Sequence, residues 1–189
     1  MLKHTVIFDA NVLYPASLRS ILMYLATTGL FKARWTLEIH EEWIKNLLLK
    51  RQDLTRAQLE FQRNLMIKVI PDSLVDDYQW MIDKLELPDK DDRHVLAAAI
   101  KVNAEIIVTV NLKDFPSHVL KQYNCIAQHP DDFIVDLLAE YSEKILPIFK
   151  RDRCHYLKPP YDQTEYLDLL KRQGLIGTSD VLDGVLNLI

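Results

Sequence analysis

The chain has 189 residues, only four of them glycine, and a formal charge of −4 at neutral pH. So little glycine leaves no G-x-G-x-x-G or G-x-x-x-x-G-K-[ST] loop to cradle a nucleotide phosphate. The acidic balance argues against gripping nucleic acid through overall charge, so any such contact must come from local basic patches or metal ions.

Residues 5–8, Thr5-Val6-Ile7-Phe8, form a continuous apolar run of the kind expected for a strand buried on both faces, ending abruptly at Asp9-Ala10-Asn11. The Lys3-His4 pair before it, followed by so short a run, resembles neither a signal peptide nor a membrane span. A helix is predicted over 18–28, capped by Ser17 and stopped by Gly29. Thr36 is the next candidate cap. The helix after it, 37–50, places Ile39, Trp43, Ile44, Leu47 and Leu48 on one broad apolar face, with Glu41 and Lys45 spaced as an i,i+4 pair. Thr55 with Gln58 forms a capping box opening a third helix to about 68, and Pro71 ends that segment. An amphipathic stretch follows over 73–85, and a further helix over 91–102 carries Val95, Leu96, Ala98 and Ala99.

The second buried strand is predicted over 106–110 and also ends in polar residues, Asn111 and then Asp114. A short helix from Ser117, a short strand over 125–127 and a helix over 131–141 complete an alternating pattern. That alternation predicts an α/β fold with a mainly parallel sheet flanked by helices. After Lys144 the character changes: a charged cluster at 150–153, then Lys158-Pro159-Pro160, which reads as extended linker. Two short helices, 161–172 and 181–188, separated by Gly174 and Gly177, form a small C-terminal helical appendage. The expected division is 1–144 and 145–189. Cys125 and Cys154 make neither a C-x-x-C pair nor a zinc-spaced cluster, which suits a reducing cytoplasm.

Ligands of open parallel sheets bind at the carboxyl ends of the strands, where strand order reverses. Asp9 ends the first strand, and Asn111 and Asp114 lie just beyond the second, so neighbouring strands would bring them to one edge. Asp91 and Asp92 fall in the first turn of a helix, where the helix dipole alone favours a carboxylate by roughly 0.3–1 kcal/mol. Glu42, beside Trp43, has solvated helix charge as its default explanation. As a set they mean more. Two carboxylates ~4 Å apart repel by about 4 kcal/mol at an effective dielectric of 20. A pocket of several, facing an anionic phosphodiester, makes sense only with divalent cations in it. Hard ions such as Mg²⁺ or Mn²⁺ take oxygen ligands, bridge carboxylates to phosphate, and lower the pKa of a bound water.

Four motifs then fit one family. Phe8-Asp9-Ala10-Asn11-Val12-Leu13 resembles the first strand and acidic turn of PIN domains, and Trp35-Thr36 through Glu42-Trp43 resembles their second acidic motif. Asp89-Lys90-Asp91-Asp92-Arg93-His94-Val95-Leu96-Ala97-Ala98-Ala99 resembles the third, and Val108-Thr109-Val110-Asn111-Leu112-Lys113-Asp114-Phe115 the fourth. The resemblance covers residues 3–140 and implies a PIN fold that hydrolyses RNA with Mg²⁺ or Mn²⁺. It puts Asp9, Glu42, Asp92 and Asp114 on the catalytic metal-site positions, with Asp91 as a substitute or helper and Asn111 as a polar neighbour; Thr109 is a further candidate helper that either orients a water or simply packs at the strand end. The fourth motif offers two candidate ligands, Asp114 and Asn111. Within the family the chain looks most like VapC-type toxins of bacterial type II toxin–antitoxin systems, in the longer form with a C-terminal helical extension. That implies a small antitoxin partner and, by resemblance alone, a homodimer.

Arg93 and Lys113 flank the acidic motifs and are candidates for RNA phosphates, with solvated surface charge as the alternative. His94 reads either as a phosphate contact or as part of the helix opening. Trp35, Trp43 and Trp80 are expected as core anchors rather than base-stacking platforms. A haloacid-dehalogenase-like phosphatase would need a second aspartate two residues after Asp9, where Asn11 stands. A catalytically silent PIN-like RNA-binding or scaffold protein is the remaining alternative; the presence of all four acids weighs against it.

Overall fold

The apolar run Thr5–Phe8 is strand β1, and its last three side chains have no exposed surface. A computed structural model describes residues 4–189, so Lys3 and the first residues of the expected 1–144 unit lie outside the described residues. After β1 come a one-turn helix α1 (Ala10–Leu13), α2 (Ala16–Thr27), strand β2 (Lys32–Arg34), α3 (Leu37–Lys50) and α4 (Arg56–Val69). A 3-10 turn, Gln79–Lys84, leads to α5 (Arg93–Lys101), β3 (Ile106–Val108), a second 3-10 turn (Leu112–Asp114) and α6 (Ser117–Leu120). Strand β4 (Ile126–Gln128) is followed by α7 (Pro130–His155), α8 (Gln163–Arg172) and α9 (Ile176–Asp183).

The strands form one four-stranded sheet in the order β2-β1-β3-β4, every described pair parallel. The parallel α/β arrangement predicted from the alternating elements is therefore the one present. From β1 the chain moves to one side to make β2, then crosses back through α3, α4 and α5 to make β3 on the other side. The switch point falls between β1 and β3. Their register pairs Phe8 with Val108. The next residue on each strand, Asp9 and Thr109, consequently meets its counterpart at the carboxyl edge of the sheet.

Local signals placed several helices correctly. Thr36 caps α3 by accepting from the Ile39 N–H, and Thr55 with Gln58 makes the capping box of α4. Gly29 follows α2 with φ 67°, a left-handed conformation that suits glycine. Other expectations need correction. Helix α2 begins at Ala16 with Pro15 in the cap position, so Ser17 lies inside it. The stretch over 73–85 is not one amphipathic element: Trp35 and Leu74 form a parallel bridge, with the Trp35 N–H donating to Ser73 O and the Val75 N–H to Trp35 O. Helical character there is limited to the 3-10 turn that follows Asp77, itself at φ 57°. Strand β3 stops at Val108 because the Val110 N–H is taken by the Asn11 side chain at 3.1 Å. Strand β2 had not been expected; it is three residues long and carries a charge at each end.

Helix α7 runs from Pro130 far past the expected end at 141, bending at Tyr141, whose φ of −133° and ψ of 37° are not helical. The division expected between 144 and 145 falls within α7, just past that bend. The 150–153 cluster is helical, and its Asp152 is fully buried, accepting from Ser20 Oγ at 2.7 Å and Tyr166 Oη at 2.8 Å. These two bonds tie the end of α7 to α8 within the extension and to α2 outside it. Helix α9 starts at Ile176, earlier than expected, and includes Gly177. Its cap is remote: the Asp131 carboxylate accepts from Gly177 N, Thr178 N and Thr178 Oγ1, each at 2.7 Å. Trp35 and Trp43 are buried as expected, whereas Trp80 is 63% exposed, with Lys84 Nζ 4.5 Å from its ring centroid. No helix among the described residues is long and apolar enough to cross a membrane.

Candidate metal and active site

Asp9 leaves the end of β1 and caps α1, with its Oδ1 accepting from the Ala10 N–H at 2.6 Å. It is 2% exposed, and its Oδ2 accepts from Thr109 Oγ1 at 2.7 Å and from Asn11 Nδ2 at 2.5 Å. Asn11 Nδ2 also donates to Thr109 Oγ1 at 2.9 Å, so Asp9, Asn11 and Thr109 form a closed triangle across β1 and β3. Burial pushes the Asp9 carboxyl up from 3.8 to about 6; the Thr109 hydrogen bond opposes this and the charge of Glu42 adds to it. Thr109 Oγ1 in turn accepts from the Asn111 N–H at 3.0 Å. Asn111 Nδ2 donates to Asp114 Oδ2, joining the two candidate ligands of the fourth motif in one pair.

Asp92, the residue before α5, makes no capping hydrogen bond, and its Oδ2 is buried without a partner. Its carboxyl is raised from 3.8 to about 7, first by burial and then by the charges of Asp9, Asp89, Asp114 and Glu42. Four carboxylates thus press on one, three of them from other segments of the chain and Asp89 from its own. Ligand oxygens of Asp89, Asp92 and Asp114 all lie within 4.8 Å of one another, the one such acidic trio among the described residues. A trio so close, containing an orphaned carboxylate oxygen, fits the all-oxygen donor set of a hard divalent cation.

The four acids predicted for the site are therefore brought into one electrostatic neighbourhood but divide in role. Asp92 and Asp114 belong to the trio. Asp9 and Glu42 lie outside it and act on Asp92 by charge. Asp89 was missed as a site residue, although it stands in the third motif. What brings it in is visible only in the structure: its Oδ1 accepts from the Asp91 N–H at 2.9 Å, in a tight turn that sets it beside Asp92. Asp91 itself is outside the trio; it lines an adjoining cleft of about 620 Å³ that Glu42 and His94 also line. Glu41 pairs with Arg56 of α4 at 2.9 Å, rather than with Lys45 as its spacing suggested.

His94 lies on the first turn of α5, with its Nε2 3.4 Å from Glu42 Oε2. Burial alone would lower its pKa, but the Glu42 contact and the charges of Glu38, Glu42 and Asp9 raise it above 6.5. Of the two candidate RNA contacts, Lys113 is exposed beside Asp114, while Arg93 is partly buried with an unpartnered Nε.

Two family models match the chain: the PIN domain over residues 5–113, and the VapC50 C-terminal domain over 130–184. A curated relative, "Putative ribonuclease VapC50" of Mycobacterium tuberculosis (strain ATCC 25618 / H37Rv), is 46% identical over 82 residues, which is 43% of this chain and 48% of the relative. The match thus spans about half the length of that relative. No solved structure matches the chain significantly.

Proposed function

Because the chain belongs to the PIN-domain family, we propose that it is a metal-dependent endoribonuclease, hydrolysing RNA phosphodiester bonds with Mg²⁺ or Mn²⁺, and the toxin of a toxin–antitoxin pair. The observation that carries this reading is Asp92: a carboxyl with one buried, unpartnered oxygen, raised to about 7 by its burial and by four other acids. A protein gains nothing from such repulsion by itself. A cation that binds the folded form relieves it.

Asp89, Asp92 and Asp114 would hold the ion, with Asp9 and Glu42 completing the negative field around it. The chemistry a divalent cation would supply there is charge neutralisation for the phosphate and a lowered pKa for a bound water. The chain's own groups do the positioning. Thr109 and Asn11 fix the Asp9 carboxylate in one orientation. Asn111 restrains Asp114. Lys113, exposed next to Asp114, would meet a phosphate of the RNA strand. The likeness to the VapC relative supports a small antitoxin as partner. A homodimer and a cytoplasmic setting are proposed on family resemblance.

Purified protein should cleave RNA with Mg²⁺ or Mn²⁺ and lose that activity in EDTA. Asp92→Asn should lower cleavage by at least about 100-fold while keeping its thermal midpoint, since the lost negative charge also relieves repulsion. Cleavage that survives EDTA, or an Asp92→Asn variant that stays active, would overturn the nuclease reading. Growth arrest on overexpression, relieved by a co-expressed neighbouring small gene, tests the toxin assignment; harmless overexpression of active enzyme contradicts it.

A further inference from the structure

Glu42 is half exposed on α3, and a glutamate so placed ordinarily samples many rotamers. Nothing in α3 holds it toward Asp9 and Asp92. What touches it is His94, from a different helix, 6% exposed and so unable to swing. The imidazole Nε2 lies 3.4 Å from Glu42 Oε2. The other nitrogen, Nδ1, has no hydrogen-bond partner and stands 3.9 Å from Glu38 Oε2. Glu38 is itself fixed by Tyr78 Oη at 2.8 Å. His94 sits two residues after Asp92, at the start of α5, so one short segment carries both a carboxylate of the trio and the group that contacts Glu42.

We infer that His94 is a positioning residue: its Nε2 holds the Glu42 carboxylate at the rim of the acidic site, setting the strength of cation binding there. This rests on the metal-nuclease reading. Histidines and carboxylates that orient a metal's ligands from behind typically change affinity 10–100-fold when removed. A histidine that only packed the start of α5 would contribute bulk, and the position of its nitrogen would not matter.

The full-length chain distinguishes the two by Mn²⁺ titration, with free Mn²⁺ read by electron paramagnetic resonance at fixed alkaline pH. His94→Gln places an amide where Nε2 stands, and His94→Asn places one where Nδ1 stands and cannot reach Glu42. The expected results are Mn²⁺ affinity within about threefold of the unsubstituted chain for His94→Gln, and a loss of about tenfold for His94→Asn. Glu42→Gln should lose as much, and the His94→Asn/Glu42→Gln double variant no more than Glu42→Gln alone. Equal affinities for His94→Gln and His94→Asn, or additive losses in the double variant, overturn the inference. A second measurement needs no change at His94: its Nε2 ¹⁵N resonance should move in Glu42→Gln and not in Glu41→Gln, and an unmoved resonance also overturns it. If the unsubstituted chain binds no Mn²⁺ at all, the nuclease reading falls and this inference with it.

Discussion

At the scale of single residues, the site is a problem of crowded negative charge. Asp9 and Asp92 hold their protons to about 6 and about 7, whereas both would release them near 3.8 in an unfolded chain. Between those values the folded form carries protons the unfolded form has lost. The stability of the metal-free protein from these two groups therefore falls as pH rises from about 4 to about 7, and is level beyond. Cation binding runs the other way, because the protons must leave first. The rise in thermal midpoint produced by Mn²⁺ should be small at pH 5 and grow through the interval up to pH 7.5; a Mn²⁺ effect independent of pH would contradict this assignment. Thr109→Val tests the same balance from one side. It removes the hydroxyl that lowers the Asp9 pKa, a bond to a charged group worth about 1.5–3 kcal/mol. The Mn²⁺-dependent window should shift to higher pH, and an unshifted window would show that Thr109 does not stabilise the Asp9 anion.

At the scale of elements, what was legible in the sequence depended on how far each residue's partner lay. Thr36 and Thr55 cap helices through N–H groups three residues away, and both helices begin where the sequence places them. The cap of α9 is Asp131, 46 residues before Gly177, and no local pattern announces it. Sequence periodicity accordingly started that helix too late. The bridge between Trp35 and Leu74 likewise overrode the amphipathic pattern that follows Ser73. Asp131→Ala should remove the three bonds at the start of α9, costing about 1–3 kcal/mol. Faster amide exchange should be concentrated in α9, with Mn²⁺ affinity unchanged; α9 amides as protected as before would mean that packing alone holds the helix.

At the scale of the whole molecule, a chain with net charge −4 concentrates several of its acids at one edge of a parallel sheet, where strand order reverses between β1 and β3. The edge itself was readable, since Asp9 and Asp114 follow the two most apolar strands. The membership of the trio was not. Asp89 enters through a backbone turn, and Asp91, adjacent to Asp92 in sequence, stays outside the trio. The extension is fastened to the PIN domain by the buried Asp152 between Ser20 and Tyr166, a link across 132 residues that composition could not reveal. Whether the acids serve a cation is settled most directly by anomalous diffraction from crystals soaked in Mn²⁺. A peak should stand between Asp89, Asp92 and Asp114, roughly 2.0–2.3 Å from their oxygens as hard divalent ions require. Strong Mn²⁺ peaks elsewhere on the molecule, with none among these three carboxylates, would contradict the account.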